Sequence, residues 1–170
     1  MGRAMGKPFD LVLGRRTYEI FAAHWPSAEG PAADVLNNAT KYVASRRLTE
    51  VDWQDSTLLE GDVAEAVSNV KKEDGPELQV HGSSDLIQTL LAADLVDALG
   101  LKIYPVVVGP GKRLFGEGTI PAAFELVEGK TSPSGVMVGT YRRAGQVRTG
   151  SFAHEEPTEA EKKRRESIEG

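Results

Sequence analysis

Strand-like and helix-like segments alternate along the first two thirds of this 170-residue chain, and this alternation constrains its fold most strongly. The apolar run over residues 9–13 ends at Gly14 and predicts a buried strand. The apolar residues that follow it have the spacing of one helix face: Tyr18, Phe21, Ala22 and Trp25. Such alternation is typical of an α/β fold, in which helices cross between parallel strands.

The same patterns predict the rest of the domain. Further strands are expected over residues 41–45, 57–59, 78–81 and 99–108, with helices over residues 32–38, after Asp62 and after Gly82. Asp62 is the candidate N-cap of its helix. The strand over residues 99–108 ends in the valines 106–108 and is expected to be a buried central strand. Residues 124–127 and 136–141 flank a turn-rich segment, which predicts an antiparallel hairpin. We therefore predict, over residues 1–152, a three-layer α/β domain with a mixed central sheet and a C-terminal antiparallel hairpin.

Composition excludes several functional classes. The net charge of -5 argues against a nucleic-acid partner. The chain has no cysteine, and its three histidines lie far apart in sequence, so a metal site is not expected. No apolar run approaches the roughly 20 residues that cross a bilayer, which predicts a cytoplasmic protein without membrane contact. Residues 153–170 are charged and almost without apolar side chains, so we predict a disordered tail.

Three segments place small or basic residues just past the end of a predicted strand. In open α/β sheets, ligands bind at that edge. Free N–H groups at a helix N-terminus attract phosphate, and arginine suits a phosphate dianion. The candidate phosphate-binding residues are Gly14, Arg15 and Thr17 in the first segment, Ser45 and Arg46 in the second, and Gly82, Ser83 and Ser84 in the third.

Each segment also has a purely structural interpretation. The serines with Asp85 and Gln88 have the pattern of an ordinary helix cap, for example. A fourth segment, GPGKRLF over residues 109–115, places Lys112 and Arg113 where they would bind a substrate phosphate. Its alternative interpretation is a solvated loop.

These motifs resemble a known fold. GRRTYEIF, KYVASRR and VHGSSDLIQTLL are similar to segments of the dihydrofolate reductase fold. LVDALGLKIYPVVVGPGKRLF is closer to the bacterial bifunctional deaminase-reductase C-terminal family, which includes the riboflavin-pathway reductases. The resemblance implies an NADPH-dependent reductase that transfers hydride to a small-molecule substrate. It implies that Arg15, Thr17, Ser45 and Arg46 lie near the adenosine end of NADPH, with Gly82, Ser83 and Ser84 at its diphosphate.

The chain departs from this family in two ways. The riboflavin reductases carry a glutamate two residues before the third segment's glycine, and Val80 stands there, which leaves the substrate open. In the family, the first strand comes before the strand that leads into GRRTY. This sequence shows no segment that corresponds to that first strand. The strands over residues 78–81 and 99–108 are therefore expected either to pair directly or to expose an edge, which favours a homo-oligomer. The alternative function is a non-catalytic nucleotide-binding or oligomerisation remnant of the family.

Overall fold

The computed structural model describes residues 7–116, 119–148, 150 and 157–167. Its strands are β1 (Phe9–Gly14), β2 (Lys41–Ala44), β3 (Ser56–Leu58), β4 (Glu77–Gly82), β5 (Ala98–Ile103), β6 (Phe124–Thr131) and β7 (Met137–Arg143). Its α-helices are α1 (Arg15–His24), α2 (Pro31–Asn38), α3 (Val63–Val70), α4 (Ser84–Ala92) and α5 (Glu159–Glu166), and a 3-10 turn spans Trp25–Ser27. None of these helices is long and apolar enough to cross a membrane.

The described strands form two sheets. Four parallel strands follow the order β3-β2-β1-β4, and three antiparallel strands follow the order β5-β7-β6. The predicted α/β class and the C-terminal hairpin are confirmed, since β6 and β7 pair antiparallel. Parallel and antiparallel strands lie in separate sheets and not in one mixed sheet, because β4 and β5 are not hydrogen-bonded to each other. Of the two outcomes expected for this strand pair, direct pairing does not occur among the described residues.

Strand β1 forms the centre of the parallel sheet and is buried on both faces. Leu11 and Leu13 face one core cluster, while Val12 faces the other. Helices α1 and α2 contribute Tyr18 and Leu36 to the first cluster. Helices α3 and α4 cover the second with Val67, Leu86 and Leu90. A fully buried Leu or Val side chain stabilises the fold by about 1.5–3 kcal/mol, so this helix–sheet–helix arrangement holds the parallel half together.

One lysine lies within this core. Lys41 is fully buried at the start of β2. Its ammonium group donates to the carbonyl oxygens of Asn37 at 2.6 Å and Gln54 at 3.0 Å, and lies 4.2 Å from the ring centroid of Trp53. Burial lowers the pKa of Lys41 to about 8, although two nearby aspartates act in the opposite direction.

A strand forms here, but the prediction of a buried central strand up to residue 108 is wrong: β5 lies at the edge of its sheet, and Leu99 is its one buried residue. Strand β5 ends at Ile103, and the valines that follow are exposed to 67%, 99% and 87%: Val106, Val107 and Val108. A β-branched run has high strand propensity wherever it occurs, but a strand forms only beside a partner. Pro105 also lacks the N–H that a ladder would need. The three valines thus have high strand propensity but pair with no described strand.

Of the segment predicted as a disordered tail, residues 157–167 are described and contain a helix, α5, while its other residues lie outside the described part of the chain. Thr158 caps the N-terminus of α5 by accepting from the Glu161 N–H, and the helix's first turn is acidic while its last is basic. Arg164 and Arg165 pair with Glu161, and Lys162 pairs with Glu159. A cap and ion pairs three or four residues apart stabilise this helix, although it has no buried side chain. A prediction from apolar content alone could not find it.

Candidate functional site

The three predicted phosphate-binding segments follow three neighbouring parallel strands. In the parallel sheet β1 lies between β2 and β4. Gly14 at the end of β1 is in register with Ala44 at the end of β2, and Leu13 is in register with Gly82 at the end of β4. Because all three strands run in the same direction, their carboxyl ends lie along one edge, where the segments beginning at Gly14, Ser45 and Gly82 emerge.

The first and third segments are in direct contact. A Cβ atom added to Gly14 would lie 2.9 Å from the backbone nitrogen of Ser83 and would collide with the Ser83 hydroxyl. A Cβ atom at Gly82 would lie 2.7 Å from the Thr17 hydroxyl. Gly82 also has φ of 136°, which other residues rarely adopt. Glycine is therefore required at both positions for the two turns to meet.

The helices that begin at these turns have no side-chain cap. No side-chain hydrogen bond caps α1 at Gly14 or α4 at Ser83. Elsewhere Asp62 caps α3, as predicted, by accepting from the Glu65 N–H at 3.0 Å. The first-turn N–H groups of α1 and α4 are thus open to an external acceptor, and an anion is the acceptor that a helix N-terminus favours.

Arg15 and Thr17 lie at the N-terminal end of α1. The Arg15 guanidinium makes a salt bridge of 2.7 Å to Glu19 one turn later, with both groups partly exposed. An incoming phosphate would compete with that carboxylate for Arg15. Thr17 lies against Gly82, so it belongs to the contact between the first and third segments.

The second segment has a tight turn of its own. The Ser45 hydroxyl oxygen accepts from the N–H groups of Arg47 at 3.0 Å and Leu48 at 2.9 Å. Its hydroxyl hydrogen is free to be donated outward. Arg46 is exposed and makes no hydrogen bond or ion pair with any described residue. The structure brings the segment to the same edge as the other two and leaves its guanidinium groups at the surface.

Gln88, which the sequence placed only in a helix-cap pattern, is a site residue in the structure. Its side-chain amide donates to the Leu114 carbonyl oxygen at 2.6 Å, and its amide oxygen accepts from the Gly116 N–H at 3.0 Å. These bonds hold the fourth segment against α4. Beside them is a cavity of about 100 Å³, whose lining residues are Ser84, Ile87, Gln88, Lys112, Arg113 and Leu114. A glutamine in the middle of a helix has no sequence signal that distinguishes it from a surface residue.

Residues 2–138 match the RibD C-terminal domain family. The chain belongs to this family. The predicted resemblance is thereby confirmed, and membership in the RibD C-terminal family supports a reductase-like role in the riboflavin pathway. No cluster of three or more potential metal ligands occurs in the described part of the chain.

Two relatives from Bacillus subtilis (strain 168) are similar in sequence. YyaP is 30% identical over 140 residues, which cover 79% of this chain and 74% of YyaP. YwjB is 25% identical over 109 residues, which cover 64% of this chain and 59% of YwjB.

Two solved structures share the fold of this RibD C-terminal family member. A riboflavin biosynthesis protein from Shewanella sp. PV-4 superimposes with a TM-score of 0.66 at 23% identity, covering 83% of this chain and 77% of that one. A pyrimidine reductase-like protein from Corynebacterium diphtheriae superimposes with a TM-score of 0.58 at 13% identity, covering 79% of this chain and 75% of that one. At these identities the likeness establishes the fold.

Proposed function

We propose that this chain is an NADPH-dependent reductase that transfers hydride to a small substrate. The observation that carries the proposal is the contact between the Gly14 turn and the Gly82–Ser83 turn, each followed by a helix without a side-chain cap. Two anion-attracting helix termini side by side suit a dinucleotide, which carries two linked phosphates. Membership in the RibD C-terminal family supports the same cofactor.

The described residues fit the cofactor's polar parts. Gly82, Ser83 and Ser84 would bind the diphosphate through backbone N–H and hydroxyl groups, since neither hydroxyl has a partner among the described residues. Arg15, Thr17, Ser45 and Arg46 would lie near the adenosine end, with Arg46 free to bind a 2'-phosphate. When bound, NADPH supplies the hydride, and the protein's part is to hold it at the edge of the sheet.

For the substrate we propose a ribosylaminopyrimidine phosphate, reduced at its ribose to a ribityl chain. The descriptions of the two solved relatives, a riboflavin biosynthesis protein and a pyrimidine reductase-like protein, support this class. Val80, at the position where the riboflavin reductases carry glutamate, packs against the core cluster around Val12. A related but different substrate would be consistent with that change.

The Arg46 side chain tests the proposal. Nicotinamide fluorescence should give tighter binding of NADPH than of NADH, because a charge-assisted contact to the 2'-phosphate contributes on the order of 1.5–3 kcal/mol. Arg46→Ala should then weaken NADPH binding by roughly tenfold to a hundredfold and leave NADH unaffected. Arg142→Ala, an exposed arginine of β7, is the matched control. Equal affinities for the two cofactors in the parent protein would refute the assignment.

The second candidate is a nucleotide-binding or oligomerisation module without catalysis. Neither β4 nor β5 pairs with a further strand at its outer edge within the described part of the chain, and this favours the module, since open strand edges promote association. Turnover distinguishes the two functions. NADPH consumption with a panel of ribosylaminopyrimidine phosphates supports the reductase, and binding without consumption supports the module.

A further inference from the structure

The loop at residues 109–116 is tied to helix α4 by one side chain. Gln88 bonds through its amide nitrogen to Leu114 and through its amide oxygen to Gly116, and the Thr119 hydroxyl donates to the same oxygen at 3.4 Å. Because the side-chain amide bonds to loop backbone groups through both its nitrogen and its oxygen, it fixes the loop's position relative to the helix. The residues just before Leu114 are thereby held beside Ser84.

The cavity at this junction has the size of a single small group. Its volume of about 100 Å³ exceeds the ~10–15 Å³ that a single water molecule needs in such a cavity. It is well below the ~300 Å³ or more of pockets that enclose whole ligands. A phosphate group fits such a space, with the remainder of the ligand outside it.

Besides Gln88, three polar side chains around the cavity are donors without partners among the described residues. Lys112 and Arg113 are exposed and form no ion pair with any described residue, and the Ser84 hydroxyl has no hydrogen bond to one. Asp85 follows Ser84 but does not line the cavity. Two cations and a hydroxyl around a phosphate-sized space attract an anion, and arginine's planar fork suits phosphate oxygens.

We propose that Lys112, Arg113 and Ser84 form a second anion subsite that binds a phosphate group, and that Gln88 is its positioning residue. The assignment of this subsite to a ligand rests on the proposed function, because Ser84 also belongs to the proposed diphosphate site. The phosphate comes either from the cofactor's diphosphate or from a phosphate monoester of the substrate. Both sources offer negatively charged phosphoryl oxygens.

Calorimetric titration of the full chain with two probes, NADPH and ribose 5-phosphate, tests the subsite. The double variant Lys112→Gln/Arg113→Gln should weaken at least one probe on the order of tenfold to a hundredfold. Lys130→Gln/Arg142→Gln removes the same charge from exposed positions of β6 and β7 that do not line the cavity. This control should remain within about twofold of the parent.

The pattern of losses identifies the source. Loss confined to NADPH assigns the subsite to the diphosphate, and loss confined to ribose 5-phosphate assigns it to the substrate. Gln88→Met should weaken the same probe as the double variant and speed hydrogen exchange at the Gly116 amide. Unchanged affinity for both probes, or an equal loss in the control, overturns the subsite. A parent that binds ribose 5-phosphate but not NADPH refutes the proposed function and leaves the subsite to be decided by the ribose 5-phosphate arm.

Discussion

Lys41 shows how a single residue links burial to pH. Its ammonium group is fully enclosed, yet two backbone carbonyls and an indole ring surround it. Neither carbonyl removes the cost of excluding water, so burial dominates and lowers the pKa to about 8.

This depressed pKa predicts a pH-dependent stability. The ordinary value is 10.5, so between about pH 8 and 10.5 the unfolded chain binds more protons than the folded one. The free energy of unfolding should therefore rise with pH through this window, and this contribution is lost as pH falls through about 8. Urea denaturation at pH 7 and pH 10 should show the parent gaining stability relative to Lys41→Met as pH rises. The exposed-lysine variant Lys130→Met is the control, and a difference between parent and Lys41→Met that does not change with pH would contradict the prediction.

At the scale of elements, the contact between the β1–α1 and β4–α4 turns determines the site's geometry. Gly14 has no Cβ, which allows the Ser83 backbone to approach its Cα closely. We expect Gly14→Ala to destabilise the protein by about 1–3 kcal/mol, since overpacking forces the turns apart. It should also weaken NADPH binding. Gly100→Ala is the matched control, because a Cβ atom there meets nothing within 4 Å.

Chemical denaturation and cofactor titration of both glycine variants check this. A Gly14→Ala protein as stable as the parent, with unchanged affinity, would show that the turns tolerate separation.

Local sequence patterns predicted the elements of the parallel half well. The continuous apolar run of β1 and the apolar face of α4 are properties of short segments, and so is the Asp62 cap. The same reasoning placed the three phosphate-binding segments at one edge, because parallel strands share a direction. It did not reveal the contact between Gly14 and Ser83 or the bonds of Gln88, since both depend on how distant segments meet. The sequence patterns predicted β5 to be longer than it is, because strand propensity does not indicate whether a partner strand is present.

At the scale of the whole molecule, the exposed valines and the lack of pairing between the described strands β4 and β5 predict self-association. Val107 is 99% exposed and follows an edge strand, a combination that invites pairing with another chain. Light scattering after size exclusion should show a mass that increases with protein concentration. Val107→Lys should reduce this association without affecting stability, because the side chain has no packing to lose. Val147→Lys, at a position 53% exposed, is the control, and a monomer at every concentration would contradict the prediction.

The separation of the two sheets also affects how the molecule unfolds. Among the described residues, no strand pairing joins the parallel half to the antiparallel half, and β6 is largely exposed to solvent. A mostly solvent-exposed three-stranded sheet opens at a lower free energy than a core buried on both faces, so the halves should act as separate foldons. Amide hydrogens of β6 and β7 should then exchange in a faster class than those of β1 and β2. The proposed nucleotide site, built on β1, β2 and β4, would remain intact while the antiparallel half opens and closes.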